Sequence, residues 1–165
     1  MSVIHFEDLL HVDGKEEVGR LAEWSVTSAK AGNGPDTLRD NNLNTFWQSE
    51  GPQPHCINIQ FEKKTAIEVL SFYTDYRQDE SYTPQAVSIR AGTSHHDLKE
   101  LVTFDLDPTT ATGWTTVRLE GEPGSGRPPR AFLLQLAILT NQLSGRDTRI
   151  RQIKLFATRR NFIQD

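Results

Sequence analysis

Residues 39–61, RDNNLNTFWQSEGPQPHCINIQF, join a polar, aromatic loop directly to a strand signal, and the rest of the chain is read outward from them. In the last part Ile57, Ile59 and Phe61 fall on one side of an extended chain, while Cys56, Asn58 and Gln60 fall on the other. That alternation is what a half-buried strand requires, and it starts a strand near His55. In front of it, residues 49–54 carry one Gly and two Pro, which excludes a helix and fixes a turn. Earlier still, Asp40, Asn41, Asn42, Asn44 and Thr45 have short polar side chains that bond their own backbone, so this part reads as a tight turn or one helical turn delivering Phe46 and Trp47 inward.

The 165 residues suit a single domain with a core large enough to stand without disulfide or metal staples. Only 36% of them are hydrophobic, but these come in short runs, so the chain is globular rather than disordered. No run approaches the roughly eighteen apolar residues of a membrane span. The acidic N-terminus MSVIHFEDLL lacks the charged and apolar regions of a secretory signal, and a soluble, non-secreted protein with no membrane partner is expected. Cys56, the single cysteine, can close no internal disulfide, which agrees with a reducing compartment. The net charge of −4 gives no field that would draw the whole protein to nucleic acid. Charge is nonetheless uneven: Arg146, Arg149, Arg151, Lys154, Arg159 and Arg160 make the C-terminal end locally basic, and the first twenty residues are acidic.

Residues 1–23 show a loose helical pattern in Phe6, Leu9, Leu10, Val18 and Leu21, broken by Gly14, and read as a helical arm packing across the domain. Short strand signals follow at 24–29, 66–74, 85–91, 101–105, 114–119 and 150–156, separated by Gly- and Pro-rich turns, with residues 62–64 read as a charged turn. Residues 131–140, AFLLQLAILT, are almost continuously apolar and predict a central strand buried on both faces, with a helix as the competing reading. Many short strands, no long amphipathic helix and no internal period indicate an all-β sandwich of jelly-roll type. The expected organisation is an arm at 1–23, the sandwich at 24–157 and a tail at 158–165.

Three polar loops stand out, at 44–55, 75–84 and 141–149. Loops gather at the ends of a sandwich, so three at one end would make a concave polar surface with aromatic support; ordinary turns are the plain alternative. Asp79 and Glu80 are adjacent, and on an extended chain they point to opposite faces, a poor arrangement for paired acid and base. An exposed acidic loop accepting hydrogen bonds is expected instead, with Ser81 beside it and Tyr82 supplying stacking area. Ser144, Gly145, Arg146, Asp147 and Arg149 combine a glycine turn, a guanidinium fork and a carboxylate, the groups that recognise a polar or charged peptide. An internal Arg146–Asp147 pair that stiffens the loop is the alternative. His5, His11, His55, His95 and His96 have no metal-ligand spacing and read as solvated loop residues. Cys56 has no catalytic signature around it, and neither catalytic residues nor a cofactor are indicated. Loop carbonyls could still hold a structural calcium without any motif.

Taken together, residues 24–34 (WSVTSAKAGNG), 38–61, 79–84 (DESYTP) and 134–156 (LQLAILTNQLSGRDTRIRQIKLF) resemble the Doc domain of the anaphase-promoting complex, a multisubunit ubiquitin ligase. The resemblance covers about residues 20–157 in long motifs. It implies a galactose-binding-like jelly roll without catalytic activity. It further implies a co-receptor that acts with a WD40 coactivator to capture destruction-box degrons and promote processive ubiquitination in the cell cycle. The implied partners are tetratricopeptide-repeat and cullin subunits, the coactivator and degron-bearing substrates, in nucleus and cytoplasm. Degron or coactivator contacts are implied for Asp79, Glu80, Ser81, Tyr82, Ser144, Gly145, Arg146, Asp147 and Arg149, with His55 at the same end. A Doc-type domain of another ubiquitin ligase and a glycan-binding module are the alternatives. Two departures bear on the site. Where the family usually has Asn-Gly-Arg-Asp this chain has Ser144 in the first place, exchanging an amide for one hydroxyl, and Arg149 stands where His is common. The chain also ends in Phe162-Ile163-Gln164-Asp165, without the family's frequent Ile-Arg tail.

Overall fold

In the computed structural model, residues 15–158 are described. They form eleven strands: β1 (Lys15–Glu17), β2 (Ala22–Val26), β3 (Trp47–Gln48), β4 (His55–Ala66), β5 (Val69–Asp75), β6 (Pro84–Gly92), β7 (Lys99–Asp105), β8 (Thr112–Arg118), β9 (Arg130–Asn141), β10 (Arg149–Ile150) and β11 (Gln152–Thr158), with one helical turn, α1 (Tyr76–Asp79). One sheet has the order β2-β4-β9-β6-β7, a second β1-β11-β5-β8, and β10 pairs with β3 in a small third. All pairings are antiparallel.

The alternation of the opening stretch decides the packing. Ile57, Ile59 and Phe61 of β4 lie in one buried cluster with Leu134, Leu136 and Ile138 of β9 and Val87 and Ile89 of β6, and that cluster also takes in Leu70, Phe72, Ile153 and Leu155 of the second sheet. Two sheets sharing one core make a sandwich. Each large aliphatic side chain so buried contributes about 1.5–3 kcal/mol relative to exposure. Residues 131–140 fall within β9, flanked on both sides by hydrogen-bonded strands, which decides against a helix there.

Two local readings change. Residues 62–64 do not leave the sheet as a turn. β4 runs on to Ala66 and absorbs them in an irregularity of its pairing with β9 between Gln60 and Thr65, where the charged side chains stay exposed. The helical arm meets a different outcome over its described part: residues 15–17 are strand β1, paired with β11 from Lys15 opposite Thr158 to Glu17 opposite Phe156, followed by a 3-10 turn at Gly19–Leu21. Residues 1–14 and the tail beyond 158 lie outside the described residues. Among the described residues no helix is long and apolar enough to cross a membrane.

Candidate functional site

The loops at 44–55, 75–84 and 141–149 converge at one end of the sandwich, and backbone bonds hold them together. Strand pairing sets Arg149 opposite Gln48 and Ile150 opposite Trp47. Beyond it the Ser49 N–H donates to Thr148 O at 3.0 Å, the Thr148 N–H to Ser49 Oγ at 2.9 Å, and Ser49 Oγ–H to Asp147 Oδ1 at 3.1 Å. The 75–84 loop joins through the Gln142 N–H, which donates to Thr83 O at 2.8 Å, and through Thr148 Oγ1–H, which donates to Tyr82 O at 3.3 Å. Trp47 is fully buried and its indole N–H donates to Ser28 O at 2.9 Å, so it forms the floor of this end. Asn42 and Asn44 close the preceding turn by donating their N–H groups to the Asp40 and Asn42 side chains.

Asp79 is not part of an exposed acidic loop. Its side chain is 1% exposed and meets Arg151, itself 3% exposed, at 2.8 Å, with a second bond from Arg151 Nε to Asp79 Oδ2 at 3.0 Å. Arg149 Nη1 adds a third contact to Asp79 Oδ1 at 3.3 Å. Hydrogen bonding and charge from Asp79 raise the Arg151 pKa above its ordinary value against the opposing effect of burial. α1 and a 3-10 turn at Glu80–Tyr82 curl the chain here, which presents Asp79 to the distant Arg151 and leaves Glu80 outside. Two buried charges paired twice over form a structural brace, costly to break from either side.

His55 also differs from the solvated residue expected. It is fully buried, and its Nε2 lies 2.6 Å from Arg146 O, pinning the main chain of the 141–149 loop. Arg149 is held between two rings, with its guanidinium carbon 4.1 Å from the Tyr82 centroid and 4.4 Å from that of Phe46, while its Nε donates to Gln48 at 2.9 Å. Asp147 pairs with Ser49 rather than with Arg146. What remains outward is Glu80, Ser144 and Arg146, with Ser81, Tyr82, Gly145 and Asp147 partly exposed. Arg146 makes no side-chain bond among the described residues. Ser144, Gly145 and Arg146 line a polar cleft of about 270 Å³ with Gly51, Pro52 and Gln53, and Gln53 Nε2 donates to Gly145 O at 3.3 Å.

Backbone strain gathers here too. Of the four non-glycine residues with positive φ among the described residues, three, Glu80 (47°), Leu143 (55°) and Ser144 (57°), belong to these loops. So do the buried side-chain atoms without a hydrogen-bond partner among the described residues, His55 Nδ1, Thr83 Oγ1 and Asn141 Oδ1. Strained backbone and unsatisfied polar groups both cost stability and tend to be kept where a surface is used. Leu143, missed by a reading that looked for polar groups, is the most exposed large hydrophobic of the described residues at 68%. An aliphatic residue inside Asn141-Gln142-Leu143-Ser144-Gly145 was the available signal. Arg151 and Gln142, the buried braces of the site, carried none.

No group of three His, Cys, Asp or Glu that could hold a metal occurs among the described residues. Cys56 is buried, and burial pushes its thiol pKa up against the pull of Arg90, the reverse of an activated nucleophile.

Residues 7–164 match the family model described as anaphase-promoting complex, subunit 10. The chain belongs to that family. Relatives named anaphase-promoting complex subunit 10 include those of Dictyostelium discoideum, 51% identical over 142 residues (86% of this chain, 73% of the relative). The Drosophila melanogaster protein is 48% identical over 141 residues (86% and 70%), and the Homo sapiens protein 46% over 140 residues (85% and 74%). Among solved structures, a family 32 carbohydrate-binding module of Clostridium perfringens NanJ, in complex with galactose, superposes with a TM-score of 0.70 at 12% identity over 87% of this chain and 99% of that one. A two-module structure from Clostridium perfringens ZmpB gives 0.74 at 10% identity over 94% and 39%. At such identities the likeness is one of fold, and it places this subunit 10 family member among galactose-binding-like jelly rolls.

Proposed function

We propose that the chain is a non-catalytic recognition subunit of the anaphase-promoting complex ubiquitin ligase. Acting beside a WD40 coactivator, it serves as co-receptor for destruction-box degrons and so promotes processive ubiquitination of substrates in the cell cycle. Its partners are the tetratricopeptide-repeat and cullin subunits, the coactivator and the degron peptide, and it works in nucleus and cytoplasm. The observation that carries the reading is the braced cleft: three loops tied by backbone bonds, with the half-exposed Ser81 beside Gly145 and the unpaired Arg146 on its lip. A pre-formed polar cleft orders little on binding, which favours capture of a short extended peptide. Asp79 and His55 act behind that surface, as brace and pin. Glycan binding is supported less well, because the rings at this end are occupied: Trp47 is buried, and Phe46 and Tyr82 are stacked on Arg149.

The test is capture of a labelled degron peptide by the assembled ligase containing the tagged full chain. Binding is expected to require the coactivator and to fall at least about tenfold in the double variant Ser81→Ala/Arg146→Ala. A double variant that binds and ubiquitinates like the parent, or a chain that brings down no cullin or tetratricopeptide-repeat subunit, overturns the proposal.

A further inference from the structure

Leu143 and Arg146 share one short loop whose main chain is fixed at every turn. The Gln142 side chain donates to Leu106 O at 2.7 Å and Pro84 O at 3.2 Å. Asn141 Nδ2 donates to Gly145 O at 3.2 Å, the Gly145 N–H to Gln142 O at 3.0 Å, and Arg146 O meets the His55 ring. Gly145 presses on the Ser81 carbonyl so tightly that no side chain fits between them. Against this anchored backbone only two long side chains stand free, the aliphatic Leu143 at 68% exposure and the Arg146 guanidinium.

Leu143 is held there at a cost. Its φ of 55° and ψ of 30° lie in the left-handed region, followed by Ser144 at φ 57°. That region is unfavourable for leucine and much better tolerated by asparagine or glycine. Its outward-facing side chain gains almost no burial in return. A leucine that is both strained and exposed contributes nothing to folding that asparagine would not do better, so its use lies with what covers it.

We infer that Leu143 and Arg146 are specificity-determining residues that read an extended peptide carrying an apolar side chain at one position and a carboxylate at a neighbouring one. The inference rests on the co-receptor reading and names the chemistry of the segment preferred by the cleft, which Arg146 lines, together with Leu143, exposed on the same short loop beside it. The carboxylate follows from charge. Arg146 is the cleft's unpaired cation, while the nearest acid of its own loop, Asp147, is already committed to Ser49. An apolar contact beside a charge-assisted hydrogen bond is a combination that a rigid lip can select, because little is ordered on binding.

The experiment uses the assembled ligase with its coactivator and short synthetic peptides built on one destruction-box sequence, each position carrying Leu, Asn, Asp or Lys in turn. With the parent chain, one position prefers Leu over Asn and a neighbouring one Asp over Asn. Leu143→Asn is expected to lower the first preference about tenfold and to leave the second unchanged, while the melting temperature of the chain holds or rises. Arg146→Ala is expected to abolish the second preference and spare the first. A uniform loss across all peptides in Leu143→Asn, or a fall in its melting temperature, makes Leu143 a packing residue and overturns the inference. If Ser81→Ala/Arg146→Ala destroys binding while the Leu143 variant keeps the parent's preferences, the co-receptor reading stands and this inference alone fails. Binding indifferent to that double variant removes both.

Discussion

A β-carbon built on Gly145 would stand 1.8 Å from the carbonyl oxygen of Ser81, so two loops far apart in the sequence touch backbone to backbone. Gly145 has an ordinary φ of −63°. The glycine is therefore required by contact and not by torsion.

Gly145→Ala forces the two loops apart. A cost of about 1–3 kcal/mol is expected, seen as a fall of several degrees in melting temperature, with degron capture lost even where the domain remains folded. Ser81→Gly in the same chain gives no rescue, since the nearest clashing atoms are backbone. Recovery of binding in that double variant would show that the Ser81 side chain sets the spacing.

The Asp79–Arg151 brace predicts an asymmetric result. Asp79→Asn leaves the Arg151 guanidinium buried without its counter-charge and is expected to cost about 3–5 kcal/mol in urea unfolding. Replacing both residues, as in Asp79→Asn/Arg151→Met, is expected to return much of that loss, because no uncompensated charge stays behind. Losses that simply add would show that the pair does not act as a unit.

Arg149 couples two loops through its flat guanidinium. A double-mutant cycle of Arg149→Ala with Tyr82→Ala should give a coupling energy of about 1 kcal/mol, measured by chemical denaturation. Arg149→His keeps a planar group between the rings and should lose less than Arg149→Ala. A coupling near zero would mean that Gln48 and Asp79 hold Arg149 without help from the aromatic faces.

Which features could be read in advance follows from the range over which each is encoded. β4 and β11 announce themselves through alternation within a few residues, and β9 through an apolar run bounded by turns. The gathering of three polar loops at one end follows from sandwich topology once the strands are placed. Asp79 could not be read as buried, because the arginine that draws it in lies 72 residues later, and in the sequence it sits beside Glu80 and Ser81 like any exposed acid. His55 meets its partner 91 residues away. β1 is too short to show a period and exists only because β11 offers it an edge. Leu143 was visible as a residue but not as an exposed one, since burial there depends on a left-handed backbone that no local pattern specifies.

The turn at the start of the opening stretch makes stability depend on acid. Burial acts to raise the Asp40 pKa, but bonds from the Thr45 hydroxyl at 2.5 Å, the Asn42 N–H at 3.0 Å and the Gln152 amide at 2.6 Å outweigh it and hold the carboxyl below its ordinary value of 3.8. Between the lowered folded value and 3.8 the unfolded chain binds more protons than the folded one, so stability in that window rises with pH. The contribution is complete above the unfolded value and disappears as pH falls through the folded one. Asp40→Asn abolishes this dependence; it keeps one carbonyl oxygen for the Gln152 and Asn42 donors that share Oδ1, but puts an amide NH2 group in place of the Oδ2 that accepts from the Thr45 hydroxyl. The variant should therefore be less stable than the parent at pH 7, and the gap should narrow near pH 3, when urea midpoints are compared at both values. Asp97 and Asp107, lowered in the same direction by bonds from Thr93 and Thr109 respectively, remain in both chains and leave the comparison intact. A gap that stays constant with pH would assign the Asp40 effect to packing of the turn instead of to its charge.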